Sequence, residues 1–192
     1  MTVVAAATTS NGVVIAADAQ VQVGHQKLYD VVPKLWTAEN LAFGASGCLR
    51  TAQVLKHHID WPKYRPDEDT DFEAWVIKSV VPMIRSGTKD KGVVKNDNGI
   101  EKLNVSLLLA TKERVAEISG NGCVTVELCG RAAIGSGYAE ALGYLGDSGP
   151  WTEADVIEAV RRATISNLGC SGPITVVNTQ DLTIRTIGQA DS

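Results

Sequence analysis

The feature that most constrains the fold lies at the start of the chain. Two short runs of β-branched residues and alanine, at 3–7 and 13–17, flank the pair Asn11-Gly12. Both residues of that pair tolerate positive φ, so the segment reads as a β-hairpin. The runs are apolar at nearly every position, not at alternate ones, as expected of strands covered on both faces.

The remaining elements follow from periodicity and punctuation. Further strands are expected at 26–29, 34–36 and 41–43, then a helix over 49–59. A polar, proline-bearing loop at 61–70 leads to a second helix. Thr70 and Glu73 have capping-box spacing there, and Phe72, Trp75, Val76, Val80, Met83 and Ile84 recur on one face. Pro82 is expected to kink or shorten its end. The polar, glycine-rich stretch 86–102 reads as a mobile loop. Strands are expected at 105–110, 115–119, 123–127 and 132–135, the second and third of these joined across Gly120-Asn121-Gly122. Helices at 138–145 and 153–168 follow, the latter capped by Thr152, and strands at 174–178 and 182–187 close the chain.

Two groups of strands and two helix pairs predict an α+β fold, a four-layer αββα sandwich of two mainly antiparallel sheets flanked by helices. A two-layer α+β fold is the alternative. The 192 residues suit one domain over 1–192, large enough to bury roughly 70% of the unfolded surface.

Charge excludes some functions. Eighteen basic against 22 acidic residues leave a net charge of −4, with no basic block longer than a pair. Nucleic acid and anionic membrane surfaces are therefore not expected partners. The four cysteines (Cys48, Cys123, Cys129, Cys170) are far apart in sequence and read as reduced thiols. Of the three histidines, His25 stands alone, and His57 and His58 face different sides of a helix, so no metal and no cofactor is expected. No apolar run approaches the roughly 18 residues of a membrane span. Without a charged leader ahead of an apolar run, a cytoplasmic location is expected.

Six sequence features remain. Thr2 opens a strand, Ala16-Ala17-Asp18 ends the next, and Lys34 precedes an apolar pair. Gly44-Ala45-Ser46-Gly47, Ile134-Gly135-Ser136-Gly137 and Ser171-Gly172 follow in order. Together they resemble the N-terminal-nucleophile hydrolases, in the proteasome β-subunit branch that includes the bacterial HslV peptidase. The resemblance covers nearly the whole chain. It implies a threonine peptidase with Thr2, freed by removal of Met1, as nucleophile. Asp18 and Lys34 would be its charged partners, Gly47 the oxyanion donor, and Ser136 and Ser171 the serines that orient the amine. It places Val21, Val32, Trp36, Ala45 and Leu49 near the substrate pocket, all apolar, which suggests cleavage after hydrophobic residues. It further implies a homo-oligomeric ring acting on peptide or unfolded protein, with an ATP-dependent unfoldase as possible partner. One departure stands out: the branch usually carries an aspartate three residues before the late serine, and here that position is Leu168.

The chemistry fits the residue types. A hydroxyl is a poor nucleophile without a base, and a chain-terminal threonine carries one in its α-amine, with a pKa of about 8. A neighbouring lysine ammonium favours the developing alkoxide and keeps that amine neutral, and an aspartate keeps the ammonium charged. A glycine N–H lets a carbonyl approach closely, and such donors supply roughly 3 kcal/mol to a transition state. Other motifs fail. The glycine pattern from Gly135 meets Glu140 where a dinucleotide fingerprint needs glycine, and there is no G-x-S-x-G elbow or P-loop. Two other readings of the same fold remain: an amidase of small molecules, and a non-catalytic ring or scaffold subunit.

Overall fold

The N-terminal hairpin forms as expected, in a computed structural model that describes residues 2–23, 26–28 and 33–188. Met1, His25, Tyr29 and Val32 lie outside the described residues. The first strands are β1 (Val3–Thr9), β2 (Gly12–Asp18), β3 (Val21–Val23), β4 (Gln26–Leu28), β5 (Leu35–Ala38) and β6 (Leu41–Gly47). Helix α1 (Leu49–His58) follows, then α2 (Phe72–Trp75), a π-helical turn (Val76–Val80) and α3 (Val81–Thr88). Strands β7 (Val94–Asp97), β8 (Ile100–Leu103), β9 (Val105–Ala110), β10 (Val115–Ile118), β11 (Val124–Val126) and β12 (Arg131–Gly135) lead to α4 (Tyr138–Leu145) and α5 (Glu153–Ser166). Strands β13 (Ile174–Asn178) and β14 (Ile184–Ile187) end the fold.

Two antiparallel sheets carry the architecture, ordered β12-β1-β2-β13-β14 and β11-β10-β9-β6-β5. Alternation along β1 and β2 assigns the layers. Val3, Ala5, Ala7, Val14 and Ala16 pack under α4 and α5, against Ala141, Val156, Ala159, Val160 and Ala163. Val4, Ala6, Val13, Ile15 and Ala17 face the other sheet, meeting Leu35, Ala42, Leu108 and Ala110. The far face of that second sheet, with Phe43, Leu107 and Leu109, packs on α1 to α3. The three apolar layers are those of a four-layer αββα sandwich. No helix among the described residues is long and apolar enough to cross a membrane.

Several local expectations are corrected. The second helix is capped by Asp71, whose side chain accepts from Ala74 N at 3.0 Å, and not by Thr70. It runs through Pro82 to Thr88, because the wider π turn just ahead of the proline absorbs the residue that cannot donate. Residues 94–103 form a hairpin in place of the expected loop, turning at Asn98 (φ 53°) and Gly99 (φ 83°). Both residues of this pair have positive φ, whereas in the first hairpin only Gly12 does, and it already pairs with Thr9 across the strands. Helix α5 stops at Ser166, where Asn167 turns extended, and Thr152 and Asp155 cap its start reciprocally. The 61–70 loop is irregular, yet its Trp61 and Tyr64 are core residues, the latter held by Asn40 through two hydrogen bonds of 2.7 and 3.0 Å.

Gly44 tests the tightness of the layer between the sheets. A Cβ there would lie 2.5 Å from Val4 Cγ1 and 3.2 Å from Leu35 Cδ2. Gly44→Ala is expected to lower stability by about 1–3 kcal/mol through overpacking, read as a lower urea midpoint with an unchanged slope. An unshifted midpoint would mean that the layer is looser than described.

Candidate active site

Three strand ends and one strand entrance converge on the carboxylate of Asp18. It is the last residue of β2, lies between the start of β1 and the start of β13, and is wholly buried. Its Oδ1 accepts from Lys34 Nζ at 2.7 Å and from Val3 N at 2.8 Å. Its Oδ2 accepts from Ser171 N at 3.1 Å and Gln20 N at 3.2 Å. Four donors on two oxygens leave the carboxylate well satisfied, which is the condition for keeping a charge out of water.

Lys34 reaches this point from just before β5. Its carbonyl accepts from Ala45 N at 3.0 Å, tying the residue to the neighbouring strand. Burial lowers the pKa of its ammonium from the usual lysine value, and the opposing pull of Asp18 does not restore it. Lys34 is thus a cation more ready than most to release a proton.

Thr2 lies beside this pair, 5% exposed. Its nitrogen donates to Ser136 Oγ at 3.2 Å, and Ser136 Oγ donates back to the Thr2 carbonyl at 3.3 Å. The Thr2 carbonyl also accepts from Gly137 N. Gly135 pairs with Val3 across the sheet, and any Cβ there would collide with the Thr2 carbonyl. The Gly-Ser-Gly turn is therefore needed for close approach. Cys170 Sγ lies 3.7 Å from Ser136 Oγ, and burial raises its pKa, which keeps it a thiol.

A cavity of about 340 Å³ opens beside Thr2, with Lys34, Val21, Ala45, Gly47 and Leu49 in its wall. Gly47 ends β6 at φ +124°, and a Cβ would stand 2.5 Å from the Asn104 carbonyl, so only glycine fits. A second cavity, of about 430 Å³, shares Gly47 and Asn104 with the first.

The fold has known counterparts. The fold is proteasome-like. BPH of Thiobacillus denitrificans superposes with a TM-score of 0.76 at 18% identity, covering 98% of this chain and 100% of that one. Anbu from Hyphomicrobium sp. strain MC1, a Gly-1 mutant, gives 0.70 at 17%, covering 100% and 89%. Eukaryotic HslV from Trypanosoma brucei gives 0.64 at 20%, covering 92% and 99%. BPH has also been solved in complex with epoxomicin. No protein-family model matches the sequence. At such identities the likeness is one of fold.

On this proteasome-like scaffold, Thr2, Asp18, Lys34, Ser136 and Ser171 come together, although they are spread from one end of the sequence to the other. Trp36 does not join them. It alternates to the helix side of its sheet, where it stacks on Phe43 at 5.2 Å and belongs to the core under α1 to α3. The Leu168 side chain is 88% exposed and contributes only a carbonyl, to Lys27 Nζ. Its neighbour Asn167 donates to the Ser136 carbonyl at 2.9 Å, holding the turn by a neutral amide. Two residues escaped the sequence reading: Gln20, two positions after Asp18 on an extended chain, and Cys170. Side-chain alternation around Asp18 was the available signal for Gln20; nothing in the sequence marked Cys170.

Asp18→Asn would leave the Lys34 ammonium buried without its counter-charge. The expected loss is about 3–5 kcal/mol of stability at neutral pH, measured by urea denaturation. A loss under 1 kcal/mol would show that the pair is not buried as described.

Proposed function

We propose that this chain is a threonine-type endopeptidase subunit whose nucleophile is Thr2 after removal of Met1. The observation that carries the reading is Thr2 and Lys34 in the wall of one cavity, bonded to Ser136 and Asp18 respectively, on a proteasome-like fold. With Met1 gone, the Thr2 nitrogen becomes an amine where Ser136 Oγ already accepts from it. The Thr2 hydroxyl passes its proton to that amine as its oxygen bonds to the scissile carbonyl carbon. Gly47 N–H receives the developing oxyanion. The amine then hands the proton to the leaving nitrogen as the C–N bond breaks, and water releases the ester intermediate. Lys34, held charged by Asp18, favours the alkoxide throughout. Val21, Ala45, Leu49 and Ala52 give the cavity an apolar wall, which suits a hydrophobic residue before the scissile bond. A homo-oligomeric ring fed by an unfoldase would restrict such a site to unfolded chains.

The exposed Leu168 favours one competitor, a non-catalytic subunit of the same fold. A single series separates the two. Intact-protein mass spectrometry after incubation with epoxomicin is expected to show a chain lacking Met1 and carrying one inhibitor. Thr2→Ala is expected to remove the adduct and lower peptide turnover by at least about a thousandfold. A chain that retains Met1, or turnover indifferent to Thr2→Ala, would sink the proposal.

The pH dependence has a definite sign. Activity needs the amine neutral and Lys34 protonated, so kcat/KM should rise as the amine loses its proton, at or below about pH 8. It should fall again below the ordinary lysine range, because burial lowers the Lys34 pKa. A profile still flat through pH 10.5, the ordinary lysine value, would remove Lys34 from the mechanism.

A further inference from the structure

The two cavities that meet at Gly47 and Asn104 lie on opposite flanks of Thr2. In the first sheet, β1 runs between β12 and β2. The Thr2 cavity takes Gln20, Val21 and Gln22, just beyond β2, whereas the second cavity takes Gly135, the last residue of β12. The other sheet, ordered β10-β9-β6-β5 over this region, divides in the same way. The second cavity takes Ser119 just after β10 and the start of β9, and the Thr2 cavity takes Lys34, just before β5. Strand β12 packs against β9 and β10, and β2 against β5 and β6, so the two divisions coincide. Thr2, one residue ahead of β1, stands at the border.

The second cavity differs in chemistry. Its wall carries Ser46, Asn104, Ser106, Ser119, Asn121 and Lys102. Ser46 and Ser106 are register partners on β6 and β9, so their side chains share one face. Their neighbours Ala45 and Val105 pack on the opposite face, under α1 to α3, which turns both serines toward the first sheet and Gly135. Leu103 packs against the same helix-side core. The Asn121 side-chain oxygen accepts from Cys123 N at 3.0 Å, so the rest of its amide is a donor group. Lys102 is the one ionisable side chain among the described residues of the wall, and Asp97 Oδ2 meets its charge at 2.7 Å. The wall is therefore polar and close to neutral.

We propose that the second cavity is the subsite for the residues after the scissile bond, and that it selects neutral hydrogen-bonding side chains such as Asn and Ser. The inference rests on the reading of Thr2 as nucleophile. A peptide attacked at Thr2, with its preceding side chain in the apolar-walled cavity, has to continue on the other flank. The way past Gly47 and Asn104 leads into the second cavity. A leucine there strips water from hydroxyls and amides without replacing their hydrogen bonds, whereas an asparagine replaces them. A charged side chain loses its own hydration and finds no unmatched charge to compensate.

The test compares internally quenched peptides that are identical up to the scissile bond. The next two residues are both Asn, both Leu, both Asp or both Lys. In the parent protein, kcat/KM for the Asn peptide should exceed each of the others by about tenfold. Equal values, or a preference for Leu, Asp or Lys, would overturn the proposal. In Asn121→Leu and in Ser106→Ala, the Asn-to-Leu ratio should fall by about threefold or more. Each ratio is taken within one preparation, so it does not depend on the fraction that folds. A ratio unmoved in both variants would remove this cavity from the recognition. Free tripeptides Asn-Asn-Ala and Leu-Leu-Ala, models of the released fragments, locate the site by amide NMR shifts without turnover. The first should shift Ser106, Gly120 and Asn121, and the second should leave them in place. Shifts from neither tripeptide, or the same shifts from both, would also overturn the proposal. A parent without turnover defeats the function proposed above, while the tripeptide shifts still decide the chemistry of the cavity.

Discussion

One buried carboxylate organises this protein. Asp18 takes hydrogen bonds from β1, from the residue that leads into β13, from its own chain two residues on, and from the ammonium ahead of β5. The two sheets are thereby linked by a charge pair at the mouth of the sandwich, where apolar packing ends. Removing either partner strands the other in a dry interior, which is the expensive way to lose an ion pair. The structural role of Asp18 and the chemical role proposed for it would thus be the same role. A carboxylate that must be satisfied to be buried draws together the groups a terminal nucleophile would use.

The small residues around it serve approach. Alanines on β1 and β2 let α5 settle on the sheet through Ala159 and Ala163, and this brings the α5–β13 connection, with Cys170 and Ser171, over the end of β2. Gly137 has no room for a side chain against Ala163, Cys170 and Val3. Close packing of the helical layer on the first sheet therefore sets the spacing of the polar groups near Thr2. Leu168 is exposed, and Asn167 holds the Ser136 turn with an amide. The Thr2 nitrogen donates to the neutral Ser136 hydroxyl, and the nearby Glu140 carboxylate reaches that turn only through Asn167.

Much of this was legible in the chain itself. Asn11-Gly12 announced the hairpin, unbroken apolar runs announced strands covered on both sides, and the order of strands and helices announced four layers. Thr2, Asp18, Lys34, Gly47, Ser136 and Ser171 could be singled out because their residue types and order resemble a known pattern. Local chemistry fixes such features: positive φ at a turn, alternation at a strand, a proton-accepting amine beside a hydroxyl.

The tertiary structure alone decided the rest, because it depends on which faces meet. Trp36 is apolar whether it lines a pocket or fills a core, and only the pairing of β5 with β6 turned it toward Phe43. The polar composition of 94–103 outweighs its Asn98-Gly99 signal, and only the pairing of β7 with β8 makes it a hairpin. The helix through Pro82 persists because a π turn supplies room that no periodicity reveals. Gln20 and Cys170 acquired meaning only from neighbours distant in sequence, Ser171 and Ser136, 151 and 34 residues away. Sequence settles what each segment can be; the contacts between distant segments settle what each side chain is for.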